Sequence, residues 1–239
     1  PDGGSPTVAI ACSAPTVTCP ANITVNNDAG SCGAIVSFAA TATGSPAPSI
    51  TYSKNPGTSF PVGTTTVNVT ATSSCGTANC SFTVTVVDNT PPTVTLAGAN
   101  PMTIECHGTF VDPGASATDN CPGSLPVTVS GTVNVTAIGS YTLTYSATDA
   151  SGKVGTATRT VNVVDTTKPT VTPAGSADLT HECHTPFSDP GASGADACAG
   201  ALPATTSGAV NVDVVGDYVL TYTSTDPSGN SNTVAFTVN

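Results

Sequence analysis

Three aspartates recur at a fixed offset of 77 residues, and carboxylates are among the few side chains in this sequence able to do chemistry. Asp88, Asp119 and Asp149 return as Asp165, Asp196 and Asp226, with Asp112 and Asp189 as a further matched pair. Each trio falls in three loops expected to converge at one end of a β-sandwich. Carboxylates drawn together repel one another unless a cation sits between them, and Ca²⁺ takes roughly six to eight oxygens from loops of this kind. Ordinary turn capping is the competing explanation, because aspartate bonds to its own backbone in turns. The first 88 residues supply an internal control. At the three matching places they carry Ala11, Gly44 and Ser73, so all three acids are missing together. Ligands of one site would vanish as a set, whereas independent turn residues need not. Two calcium sites are therefore expected, at Asp88, Asp119 and Asp149 and at Asp165, Asp196 and Asp226, with Asp112 and Asp189 as further candidates.

The nine cysteines are the second reactive set. Cys106 and Cys121 are 15 residues apart, as are Cys183 and Cys198, which predicts one disulfide inside each repeat. A zinc site using His107 and His184 lacks short paired cysteines and a fourth ligand. The first segment holds Cys12, Cys19, Cys32, Cys75 and Cys80, an odd number. If its first and last strands run parallel, Cys19 meets Cys80 and Cys75 lies beside Cys12. Cys32 is then left at the other end, free or joined to another molecule. The corner that lost its acids gains Cys12 and Cys75, where a disulfide would clamp the loops instead.

No catalytic constellation accompanies these residues. There is no H-E-x-x-H, no G-x-S-x-G and no phosphate-cradling glycine loop. The histidines, His107, His181 and His184, are expected on strands beside the cysteines, and Glu105 and Glu182 are the only glutamates. With 15 acids against four bases and a formal charge of −11, nucleic acid and anionic membrane are poor partners. Many cysteines, one methionine and few lysines point to an oxidising compartment. The sequence starts at Pro1 without a signal peptide and reads as a processed or excised chain.

The elements that must position these residues are short strands. Thr and Val are abundant, and 23 Gly and 20 Pro punctuate the sequence. Thr93 to Asn162 aligns without a gap on Thr170 to Asn239 with about half the positions identical, which is a whole-domain period. Proline-bearing connections, Asp88-Asn89-Thr90-Pro91-Pro92 and Asp165-Thr166-Thr167-Lys168-Pro169, precede the two repeats and hold the backbone extended. Alternation in Phe82, Val84 and Val86 and in Tyr141, Leu143 and Tyr145 turns one face inward. The expected fold is all-β: three tandem immunoglobulin-like β-sandwich domains joined end to end, at 1–89, 90–166 and 167–239.

Particular stretches carry a family likeness. Cys19-Pro20-Ala21-Asn22-Ile23-Thr24-Val25, Cys32-Gly33-Ala34, Phe60 to Thr66 and Cys80 to Val84 resemble the hyalin repeat (HYR) module. The Glu-Cys-His, Phe-x-Asp-Pro-Gly-Ala and Tyr-x-Leu-Thr-Tyr stretches of both later repeats resemble the bacterial surface immunoglobulin-like family. The Val-Val-Asp-Asn-Thr-Pro connection and the Ala-Thr-Asp loop also look like cadherin calcium-site pieces. The resemblance implies a non-enzymatic extracellular protein acting as a spacer or stalk of a bacterial surface protein, and the acid trios add the expectation that Ca²⁺ stiffens it. A subunit of a self-assembling extracellular fibre and an adhesin for a protein or glycan are the alternatives. The expected partners are other domains or copies of the same surface protein.

Overall fold

The computed structural model describes residues 12–176 and 178–239, and every regular element among them is a β-strand. Ala11, one of the three control positions, lies outside the described residues.

One strand plan serves all three segments. In the first, a sheet runs in the order Ile23–Asn26, Gly76–Val87, Gly63–Ser73, Ser49–Tyr52, its first pair parallel. Ser13–Thr18 pairs with Thr41–Ser45, and Gly33–Val36 with Thr58–Pro61. In the second, the order is Met102–Glu105, Val154–Val164, Gly139–Thr148, Val127–Ser130, again beginning with a parallel pair. In the third it is Asp178–Leu179, Ser231–Val238, Tyr218–Thr225, Thr205–Ser207, with the same parallel start. That recurring parallel pair sets the short strand ending near Glu105 and Cys106 alongside the strand that leads out to the next connection.

Period-2 alternation creates the cores. Phe82, Val84 and Val86 are buried against Val67, Val69, Phe60 and Val36, with Phe38 packed edge-on to Phe60 and Phe82. Leu220, Tyr222, Phe236 and Val238 do the same in the last segment. The middle segment breaks the pattern once. Arg159 stands where Phe236 stands one repeat later, yet it is 0% exposed. Its guanidinium donates to the Tyr145 hydroxyl and to the carbonyls of Ala97, Ala99 and Gly114, with Asp112 3.7 Å away.

The edge strands end at matched glycines. Gly131 and Gly208 both sit at φ +100°, and a Cβ on either would meet the carbonyl of the neighbouring strand, that of Thr142 or Val219. Only glycine satisfies both demands. Gly208→Ala is expected to destabilise the last sandwich by about 2 kcal/mol, from backbone strain plus the clash, read from urea denaturation midpoints.

Contacts divide the chain into two compact units. One is Pro1–Thr95, Ala115–Thr128 and Ser146–Thr156; the other is Leu96–Gly114, Val129–Tyr145 and Ala157–Asn239. The division runs through the second repeat instead of following the proline-bearing connections, because bonds described below fasten its loops to flanking segments.

Candidate metal centres

The sandwich loops bring the later aspartate trio together and two members of the earlier one, each group within one compact unit. In the later cluster, oxygens of Asp165, Asp196 and Asp226 all lie within 4.8 Å of one another. In the earlier one, Asp88 and Asp119 meet at the same range, and Asp149 lines the same cleft with Val62, Leu125 and Ser151.

Within each carboxylate the two oxygens divide the work. Asp119 Oδ2 accepts the Cys121 N–H at 3.1 Å, and Asp149 Oδ1 accepts those of Ser151 and Lys153 at 2.8 and 2.9 Å. Asp196 Oδ1 accepts from Cys198 and Ala199 at 2.7 and 2.9 Å. These are turn caps. The other oxygens, Asp119 Oδ1, Asp149 Oδ2 and Asp196 Oδ2, are buried without a hydrogen-bond partner among the described residues, as is Asn120 Oδ1. A buried acceptor left unpaired is costly, so these three oxygens, two of them at the matched positions Asp119 and Asp196, call for a donor or a cation; the match of Asp149, Asp226, has both oxygens bonded by Asn230. An all-oxygen, anionic donor set suits a hard cation, and the residues therefore fit calcium.

The electrostatics agree. Burial, then the charge of Asp196, holds the Asp165 carboxyl above the usual aspartate range, despite bonds from Ser228 and Thr167. Asp226 is buried too, but N–H groups of Asn230, Ser228 and Gly229 and the Asn230 side chain outweigh that and hold it below the range. Asn230 also donates to the Asp165 carbonyl. Its counterpart one repeat earlier is Lys153, whose ammonium bonds Asn89 Oδ1 at 2.6 Å. The later cluster, with an amide in place of that ammonium, is the better-formed site.

Asp112 and Asp189 take no part in either cluster. Each accepts a tyrosine hydroxyl at 2.5 Å, from Tyr145 and Tyr222, and the N–H of the glycine two residues on. In the first segment Cys12 is bonded to Cys75, and the Cys75 N–H donates to Ser73 Oγ, so a disulfide holds the corner where acids are lacking. Cys19 is joined to Cys80.

The remaining disulfides overturn the expected pairs. Cys106 is bonded not to Cys121 but to Cys198, and Cys121 is bonded to Cys32, leaving Cys183 free. The cause is topological. Cys106 ends the short parallel strand, where its N–H donates to the Val164 carbonyl beside the outgoing connection. Cys121 lies instead in the turn that meets the preceding segment, where Asn120 donates to the Ser31 carbonyl. Both bridges thus tie an Asp-x-Cys turn to the repeat before it, with Cα atoms 4.6 and 5.7 Å apart. His107 and His184 also depart from the expected strands. They occupy turns at φ 60° and 64°.

Residues not singled out from sequence complete the frame. Glu105 accepts N–H and hydroxyl bonds from both Thr166 and Thr167, which together hold it below the usual glutamate range. Asn27 bonds Asn89 and Thr90 across the earlier connection. The matched recurrence of Glu105 as Glu182 was the available signal.

Residues 94–163 and 171–239 match the family described as bacterial surface protein, Ig-like domain. The chain belongs to the bacterial surface immunoglobulin-like family. Ahead of those domains, residues 12–86 match the HYR domain. Hyalin of Lytechinus variegatus is 37% identical over 206 residues, covering 78% of this chain and 38% of that protein. The serine-rich adhesin for platelets of Staphylococcus aureus (strain MSSA476) is 32% identical over 187 residues, covering 66% of this chain and 8% of the adhesin. Among solved structures, a protocadherin γB7 fragment gives a TM-score of 0.39 at 14% identity, over 94% of this chain and 77% of that one. This chain therefore spans well under half the length of its curated relatives. This bacterial surface immunoglobulin-like chain with its HYR domain is a non-enzymatic structural or adhesive module, extracellular or on a cell surface.

Proposed function

We propose that the chain is a calcium-stiffened spacer of a surface protein, in which each acidic cluster fixes the loops where one repeat follows another. The observation that carries this reading is that Asp119 and Asp196, one period apart, each keep a buried carboxylate oxygen that no donor among the described residues reaches, as does Asp149 in the earlier cluster. Asp88, Asp119 and Asp149 would hold one cation, and Asp165, Asp196 and Asp226 the other. Bound calcium supplies positive charge to loops whose own carboxylates repel, and each Asp-x-Cys turn is already tethered by a disulfide, which lowers the ordering cost of binding. Other domains or copies of the same surface protein are the partners that such a spacer implies.

Calorimetric melting in millimolar calcium and in a chelator tests the reading. Calcium is expected to raise the melting temperature, by an amount corresponding to about 2.7 kcal/mol when the free ion stands at 100 times Kd. Asp165→Asn separates cation binding from simple packing. Without calcium it relieves the repulsion that raises the Asp165 carboxyl, so the variant is expected to melt higher than wild type in chelator at neutral pH. With calcium it is expected to lose most of the later site's contribution. Identical melting of the wild type in both conditions, with no heat on calcium titration, would overturn the proposal.

A further inference from the structure

The disulfides follow a rule that one cysteine leaves unfilled. Each Asp-x-Cys turn is bonded to the repeat before it: Cys121 to Cys32, and Cys198 to Cys106. One period after Cys106 stands Cys183, and it is free. The two sites are built alike. His107 N–H donates to the Val135 carbonyl at 2.7 Å and His184 N–H to that of Val212 at 2.8 Å, with matching positive φ. What differs is their covering. Cys106 is 5% exposed, whereas Cys183 is partly open and its thiol donates to the Val212 carbonyl at 3.2 Å. Glu105 is saturated by Thr166 and Thr167, whereas Glu182 is exposed and, among the described residues, no donor reaches its carboxylate. Glu182 and Cys183 share a cleft with Val212, Val215 and Tyr218, and Val215 is 87% exposed.

We propose that Glu182 and Cys183 form the receiving half of a covalent junction for a further immunoglobulin-like repeat, one presenting a reduced cysteine in an Asp-x-Cys turn. Glu182 would take N–H and hydroxyl donors from that repeat's leading connection, as Glu105 does. A second copy of this chain does not fit, because its Cys121 and Cys198 are already bonded. The bond forms by exchange with a small disulfide such as oxidised glutathione. The Cys183 thiolate attacks it and releases one glutathione thiolate; the partner's thiolate then attacks the mixed disulfide and releases the second. The proposal is independent of calcium, since this linkage would form in chelator.

The test appends a second copy of residues 163–239 directly after Asn239, preserving the 77-residue period. The chain is folded in a glutathione redox buffer with chelator and mapped as non-reduced peptides. Cys183 is expected to be joined to the added counterpart of Cys198, and the alkylatable thiol to move to the added counterpart of Cys183. A Cys183 that stays fully alkylatable in the folded, extended chain, or that pairs elsewhere, overturns the proposal. Two measurements without the added repeat guard against its failing to fold. The unextended chain is expected to take one N-ethylmaleimide, at Cys183, and to stay monomeric on non-reducing gels; a Cys183-linked dimer as the main product counts against the proposal. In Cys106→Ser, which frees Cys198, both Cys183 and Cys198 are expected to remain alkylatable, and a Cys183–Cys198 bond would sink the idea.

Discussion

Arg159→Ala is expected to lower the stability of the second repeat by about 3–5 kcal/mol, the range for removing one partner of a buried charge network. The guanidinium serves three carbonyls and the Tyr145 hydroxyl, and it faces Asp112. Truncation removes the donor to the Ala97 and Ala99 carbonyls and to the Tyr145 hydroxyl, leaves the Gly114 carbonyl only the Ala97 N–H, and opens a cavity besides. Arg159→Phe is expected to cost clearly less. One repeat later Phe236 fills the same place and packs edge-on to Tyr222, while Tyr222 still donates to Asp189. The network also has a pH signature. Burial works against ionisation of Asp112, but bonds from Tyr145 and Gly114 and the charge of Arg159 prevail and hold its carboxyl below the ordinary value. Its contribution is therefore full at neutral pH and lost as pH falls through that lowered value. The gap in guanidinium midpoint between wild type and Asp112→Asn should accordingly be constant near neutrality and close below about pH 4. A gap that persists unchanged in strong acid would show that the side chain acts only by shape.

The second large effect is expected from Cys106→Ser combined with Cys198→Ser. This bridge closes a loop with a sequence separation of 92, and its loss should cost roughly 2–4 kcal/mol through the freedom returned to the unfolded chain. It should also weaken calcium binding at the later cluster. Cys198 N–H fixes the Asp196 oxygen opposite the orphaned one, so a turn released from Cys106 presents that oxygen less steadily. Denaturation midpoints with and without calcium measure both effects. An unchanged midpoint in chelator would mean that packing alone holds the turn.

The fold could be read from alternation in Phe82, Val84 and Val86 and from the unbroken match of Thr93–Asn162 on Thr170–Asn239, because both signals are local or periodic. The closeness of Asp165, Asp196 and Asp226 was legible for the same reason, helped by the joint loss of acids at Gly44 and Ser73, whereas Asp149 is not drawn into the group of Asp88 and Asp119. Of the cysteine pairs, Cys19 with Cys80 and Cys12 with Cys75 were legible from the parallel first and last strands, but the pairs of the later repeats were not. When two cysteines recur at one period, pairing within a repeat and pairing between neighbouring repeats are both compatible with the same recurrence, so the repeat alone does not choose between Cys106 with Cys121 and Cys106 with Cys198. The unpaired Cys32 was the clue, since it needs a partner outside its own segment. Arg159 gave no warning either. An arginine inside an alternating strand reads as solvent-facing until the carbonyls of Ala97, Ala99 and Gly114 are seen to surround it.

The two bridges between successive repeats have a mechanical meaning. When such a chain is pulled from both ends, tension crosses from Cys32 to Cys121, runs back to Cys106, and crosses again to Cys198. The residues enclosed by those crossings, apart from the stretch between Cys106 and Cys121, are shielded from load even if their sandwiches come apart. Between Cys32 and Cys198 the chain would yield little length until a reductant arrives, whereas residues 199–239 lie outside both crossings and stay under load.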